Sequence, residues 1–173
     1  MSHVDEILSQ LRKWKEKGGY GKKNKFTKET YNTVSGDGAQ YAAHVIHENS
    51  SLFSRYTTTS RKVAVVSDGS DVKGLGTIGS KAVVPILEGK ATLLTEFGGV
   101  EAVPIALPKI AGVDFVSQVE MLSDSFGAVL LCGTEITRTL AVEQRCKEKV
   151  SVPVLHTQKD GMAIAVLSAL INA

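Results

Sequence analysis

A chain of 173 residues is long enough for one domain with a proper core, and 43% apolar with 22% charged residues is an ordinary globular composition. A formal net charge of +2 gives no broad pull towards nucleic acid, and no apolar run reaches the roughly 20 residues that span a bilayer. The acid-bearing start "MSHVDEILSQLRKWKEK" does not read as a secretory leader, and Cys132 and Cys146, with no C-x-x-C, indicate neither a disulfide framework nor a zinc site; the expectation is a reduced, cytoplasmic protein.

In chain order, Val4, Ile7, Leu8, Leu11 and Trp14 recur at helical spacing and predict a first helix with an apolar stripe. "KGGYGKKNKFTK" follows as a basic, glycine-rich connector that reads as a solvated loop. Residues 38–54 read as helix, "KVAVV" as a buried strand, 79–88 as helix, and "ATLLT" and "AVPIAL" as two short strands. Residues 113–123 read as helix, "GAVLLC" as a strand, 134–149 as a helix rich in charge, "VPVLH" as the last strand and "GMAIAVLSALIN" as an almost wholly apolar closing helix. Strands are therefore expected near 62–66, 91–95, 101–106, 127–131 and 153–156. Continuous apolar strands separated by helices predict an α/β fold: a single domain with a mostly parallel sheet flanked by helices. The chain divides into an N-terminal helical region with the basic loop, 1–62, and a sheet-bearing part, 63–173, within one compact domain.

Gly74-Leu75-Gly76-Thr77-Ile78-Gly79 matches G-x-G-x-x-G, and Glu96 lies 20 residues after Gly76, as a ribose-binding acid would. The join is wrong, however. A dinucleotide fold runs its strand directly into the first glycine, whereas "SDGSDVK" separates Val66 from Gly74. Nor does Gly79-Ser80-Lys81 give the G-K-[ST] order of a phosphate-binding loop.

The run "VAVVSDGSDVKGLGTIGSKAVVPILEGKATLLTEFGGVEAVPIAL" resembles the substrate domain of bacterial-type malic enzymes. There the order is strand, S/T-D-G, G-L-G-x-I-G, P-x-x-E-G-K, an apolar segment, F-x-G-V-x-A and P-I. The resemblance is nearly gapless over 63–107, resumes at "SFGAVLLC" and at "VPVLHTQKDGMAIAVLSALINA", and is loose over 1–62. It implies that the glycine motif belongs to a substrate domain, and that the nicotinamide binds a separate domain farther on, so this chain holds no NAD or NADP site. The family activity it implies is oxidative decarboxylation of malate to pyruvate. That reaction uses NAD or NADP and a divalent metal, Mg or Mn, which polarises the C2 oxygen, together with an acid and a base.

At the positions this resemblance assigns, much of the machinery is replaced. The family's metal-binding E-D pair falls on Cys132 and Gly133, and its D-D pair on Thr157 and Gln158; none supplies the carboxylate oxygen that a hard divalent cation takes. Glu135 and Asp160 lie close by in sequence but serve only if the backbone is shifted. The family's catalytic tyrosine falls on Ser35, and Tyr31 and Tyr41 reach the site only with a rearranged loop. Lys90, closing "PILEGK", matches the family's lysine of acid–base chemistry, with a solvated turn lysine as the plainer reading. Lys90, Ser35, Gly74, Gly76, Gly79, Thr157 and Gln158 are thus the substrate-site candidates, with no metal ligand and no cofactor residue among them. His44 and His47, three apart on a helix, read as surface histidines, and His156 as a structural one.

Three functions are weighed. The first is a free-standing substrate domain that has lost its own chemistry and binds a small carboxylate or a partner protein. The second is one half of a split malic enzyme, completed by a nicotinamide-domain chain or a full-length malic enzyme. The third is a nucleic-acid or scaffold module working through residues 22–28, which the near-neutral charge and scarcity of aromatics disfavour. The resemblance also implies a homodimer, with the first helix as a surface to bury on its own domain or on a neighbour.

Overall fold

The computed structural model describes residues 3–16, 27–108, 114–149 and 152–172. The chain forms two compact units, Met1–Ser60 and Arg61–Ala173.

The first unit is helical. Helix α1 spans His3–Glu16, α2 Lys28–Val34, α3 Asp37–Glu48 and α4 Phe53–Tyr56. Leu8 and Leu11 of α1 are buried with Ala42 of α3, and Val4, Val34, Tyr41, Val45 and Tyr56 pack around them. Val4, Leu8 and Leu11 of the first helix's apolar stripe are therefore used within its own unit. Thr27 starts α2 by accepting the Thr30 amide at 3.1 Å, a standard N-cap. The expected helix over 38–54 is interrupted at Asn49, which sits in an extended conformation and takes the Ser51 amide on Oδ1 at 3.1 Å. Such a local side-chain bond competes with helix continuation. Most of the basic loop, residues 22–26, lies outside the described residues.

The second unit is α/β. Its elements are β1 Lys62–Ser67, α5 Gly79–Gly98, β2 Glu101–Ala106, α6 Phe115–Glu120, β3 Ala128–Leu131, α7 Ile136–Lys149, β4 Val154–His156 and α8 Met162–Ile171. The strands form one sheet in the order β2-β1-β3-β4 with every pairing parallel: Val65 lies opposite Pro104 and Leu130, and Leu131 opposite His156. Ala64, Val65 and Val66 are fully buried because β1 is central and covered on both faces. Ala64, Val66, Val129 and Leu131 face α6 and α7 through Phe115, Val116, Val119 and Val142. On the other face Val65 and Cys132 meet Val83, Leu87 and Ala91 of α5.

The sheet has four strands rather than five. "ATLLT", residues 91–95, is not a strand but the continuation of α5, which runs unbroken to Gly98 through Pro85 and Gly89. The reason is periodicity. Val83, Leu87 and Ala91 are buried four residues apart and Leu94 continues their stripe, so the apolar run serves one helical face rather than a sheet. Among the described residues no helix is long and apolar enough to cross a membrane.

Candidate functional site

In open parallel sheets, ligands sit beyond the carboxyl ends of the strands. Here that edge is built by the loop after β1, the residues following β3, the turn after β4 and one flank of α5.

The loop joining β1 to α5 occupies residues 68–78, so the strand does not feed the glycines directly. It is closed on itself. Val72 and Gly76 exchange backbone hydrogen bonds at 2.9 and 2.8 Å, and the amides of Ile78 and Gly79 donate to the Gly69 carbonyl at 2.9 and 3.1 Å. Gly74, Gly76 and Gly79 all have positive φ, and a Cβ on any of them would meet nothing within 4 Å. These glycines are required by backbone conformation rather than by close approach of other described residues of the chain. The amides of Gly76 and Gly79 are spent inside the loop.

The loop leans on the end of β3. Ser67 Oγ donates to the Gly133 carbonyl at 3.2 Å and accepts the Gly69 amide at 3.0 Å. The Asp71 amide also donates to Gly133 O, at 3.2 Å. Gly133 has φ +60°, and a Cβ there would stand 3.1 Å from Ser67 Oγ and 3.2 Å from Val72 Cγ2. Asp68 takes the Ser70 amide at 3.0 Å and Arg138 Nη1 at 2.8 Å. In the sequence the S-D-G turn is the one signal for Asp68, and nothing marks Arg138.

Three groups lie at or near the adjoining strand ends, close enough for the Lys90 charge to act on the other two. Cys132, following β3, is 1% exposed, and burial pushes its thiol up to about 11, the nearby Lys90 ammonium pulling the other way. A thiol in that state is protonated and inert at neutral pH. His156, the last residue of β4, is fully buried, and neither ring nitrogen has a hydrogen-bond partner among the described residues. Burial lowers its pKa; Glu143 and Asp160 oppose the shift, while Lys159 and Lys90 add to it. Lys90, on α5, is half-buried and makes no hydrogen bond or ion pair among the described residues.

The turn after β4, Thr157–Gly161, is pinned from two sides. Asp160 Oδ2 accepts the His156 amide at 2.7 Å, and Lys159 Nζ donates to Glu143 Oε2 of α7. That bond raises the Lys159 pKa. Glu143 is buried beside Thr139 and Val142, on an inward α7 face that the i, i+3, i+4 pattern made legible. Thr157 is half-buried and Gln158 exposed, both immediately beyond His156. Ser35 belongs to the first unit, where its amide closes the end of α2 on the Tyr31 carbonyl at 2.9 Å.

Residues 24–121 match the family model for the malic enzyme N-terminal domain. The chain is 40% identical over 128 residues, 74% of its length, to the bifunctional malic/malolactic enzyme of Bacillus subtilis. It is 35% identical over 136 residues, 79% of its length, to NAD-dependent malic enzyme 1 of the same organism. It spans only 31% of each of these relatives. The crystal structure of the malic enzyme from Pyrococcus horikoshii superposes with a TM-score of 0.80 at 32% identity, over 87% of this chain and 35% of that one.

The residues present do not fit the divalent metal that such chemistry implies. At the positions that the family resemblance assigns to the metal stand a buried thiol whose Sγ lies 3.7 Å from the Val66 carbonyl, a crowded glycine, a threonine and a glutamine. The nearby acids are engaged elsewhere: Glu135 Oε1 takes the Thr137 hydroxyl at 2.7 Å, and Asp160 caps the His156 amide. Among the described residues no three His, Cys, Asp or Glu side chains are grouped to hold a metal ion.

Proposed function

The chain belongs to the malic enzyme family, and from that premise we propose that it is a malic-enzyme-type substrate domain that binds a small carboxylate at Lys90 and does not decarboxylate malate by itself. Residues 63–173 form the substrate-binding part, residues 1–62 a helical N-terminal region, and the protein works in the cytoplasm as a homodimer. The observation that carries this reading is the half-buried Lys90 ammonium, without a counter-charge among the described residues, beside the protonated Cys132 thiol and the buried His156 ring. An unpaired ammonium in a partly desolvated setting favours an anion strongly. A dicarboxylate placed there would meet Lys90 at one end and Thr157 and Gln158 at the other.

A second reading is favoured by one fact, the 31% share of each relative that the chain spans. In that reading the domain is completed by a separate NAD- or NADP-binding chain, and the pair oxidises malate to pyruvate. The misfit of the metal positions weighs against it.

The discriminating experiment is calorimetric titration of the purified protein with malate, oxaloacetate and NAD, each with and without manganese. Saturable carboxylate binding that manganese leaves unchanged supports the first reading. Carboxylate binding that requires manganese supports the second, and NAD binding overturns the assignment of the glycine loop.

A further inference from the structure

The charges around Lys90 bear on which kind of acid the chain can hold. Beyond the ends of β3 and β4, the positions that the resemblance assigns to metal-binding carboxylates carry Cys132, Gly133, Thr157 and Gln158, all uncharged at neutral pH. His156 beside them is buried, and burial keeps its ring neutral. Arg138 and Lys159 also stand at this edge, and each is already matched. Arg138 Nη1 donates to Asp68 at 2.8 Å, and its Nε lies 3.7 Å from Glu135.

Lys159 sits one residue past Gln158 on the turn after β4, and its ammonium is paired with Glu143 of α7. The Glu143 side chain is 7% exposed, and its other oxygen, Oε1, is buried without a hydrogen-bond partner among the described residues. A carboxylate buried this far holds its cation firmly, because losing it would leave an uncompensated charge. Lys73 and Lys81, on the glycine loop and in the first turn of α5, are exposed to water, where their field is screened.

A ligand carboxylate at Lys90 therefore meets an uncommitted ammonium. A second carboxylate reaching Thr157 and Gln158 meets only neutral groups, so no ion pair offsets its lost hydration. A hydroxyl or carboxamide in the same place avoids that cost, since the threonine hydroxyl and the glutamine amide each donate and accept.

We infer that the chain by itself selects small monocarboxylates with a neutral polar end over dicarboxylates, and that Glu143 sets this choice by withholding Lys159 from the ligand. The inference rests on the carboxylate site proposed at Lys90 and narrows its ligand class. Lys159 is then a latent second cation: its side chain is 43% exposed and shares a five-residue turn with Thr157 and Gln158. Removing the Glu143 charge frees it for the far end of a dicarboxylate.

The test is calorimetry of the full chain at pH 7.5, fixed ionic strength and without divalent metal, comparing malate with its C4 half-amide, which has the same shape and one carboxylate fewer. The half-amide should bind about tenfold tighter, the scale of one charge-assisted hydrogen bond. Glu143→Gln should tighten malate binding by about tenfold on the same scale and change half-amide binding by less than about threefold. Adding Lys159→Met should remove that gain, a reversal that a mere loosening of the fold would not give. Gln158→Lys, on an exposed residue, should turn the preference towards malate even if Glu143→Gln does not fold. Malate binding as tight as the half-amide in the wild type, with Lys90→Ala weakening both, would overturn the ligand class and leave the site in place. A folded Glu143→Gln with an unchanged ratio, or a Gln158→Lys that keeps the wild-type ratio, would overturn it as well. If neither ligand binds, or Lys90→Ala changes neither affinity, the site itself is misplaced and the ligand class falls with it.

Discussion

Arg138 Nη1 donates to Asp68 Oδ2 at 2.8 Å, tying the first turns of α7 to the loop that leaves β1. The Asp68 side chain is 9% exposed and its other oxygen holds the Ser70 amide, so one carboxylate fixes both the turn and the neighbouring helix. The arginine is 42% exposed, which places the pair between a buried and a surface salt bridge.

Asp68→Asn keeps the shape and one acceptor but removes the charge. It should lower unfolding free energy by about 1–2 kcal/mol, read as a fall in urea midpoint at constant slope. Arg138→Met should cost a similar amount, and the double variant less than the sum because the two act as one pair. Additive losses would mean that the contact does not form in solution.

The loop glycines separate two effects. Gly69 has φ +67°, and a Cβ there would stand 2.4 Å from the Gly79 carbonyl oxygen. Gly74 has φ +81° with nothing within 4 Å. Gly74→Ala should therefore cost only the left-handed backbone penalty, about 1–2 kcal/mol. Gly69→Ala adds a backbone collision and should cost visibly more, or abolish cooperative unfolding. Equal losses would show that the loop relaxes freely.

How far this arrangement could be read beforehand depends on the length of the signal. Strands β1 and β3 are uninterrupted apolar runs, which identify buried parallel strands at once. "ATLLT" has the same local appearance but is too short for a run alone to tell strand from helix. Only the longer register Val83, Leu87, Ala91 and Leu94 decides it, and Pro85 and Gly89 made that register look broken. Lys90 is marked in the sequence by its motif, which says nothing of its place beside the ends of β3 and β4. The Lys159–Glu143 and Arg138–Asp68 pairs are not marked there, because each joins residues far apart in the chain that only the parallel order β1-β3-β4 brings together.

Cys132 should be inert. With its thiol raised to about 11 by burial, it is almost wholly protonated at pH 8 and its attack on disulfide reagents is suppressed. Peptide mapping after labelling at that pH should find Cys132 unmodified in the native protein and modified in urea. Because Lys90 opposes the shift, Lys90→Ala should make the native thiol less reactive still. Rapid native labelling of Cys132 would contradict its burial.

His156 gives stability a pH signature. Its folded pKa is lowered, burial being the first cause, so between that lowered value and the ordinary 6.5 or so the unfolded chain holds more protons. Stability linked to this group is fully present above about 6.5 and drains away as pH falls through the folded value. Urea midpoints measured from pH 7.5 to 5 should therefore decline, and His156→Gln should flatten that part of the curve. A wild-type profile that is level over this range would mean that the ring is partnered or protonated in the native state.

In the proposed site, anion recognition rests on Lys90. It approaches the ends of β3 and β4 from α5, where its charge is felt by both Cys132 and His156. Lys159 is engaged by Glu143 and Arg138 by Asp68, so a small anion entering here has Lys90 as its main uncommitted cation. The glycine-loop amides of Gly76 and Gly79 are already donated within the loop. Lys90→Ala should weaken malate or sulfate binding by about 1–3 kcal/mol, the scale of a charge-assisted hydrogen bond, with the fold intact by circular dichroism. Lys90→Arg keeps the charge and should recover part of the loss, whereas Lys159→Ala should change binding much less. Affinity that is unchanged in Lys90→Ala would remove this lysine from the site.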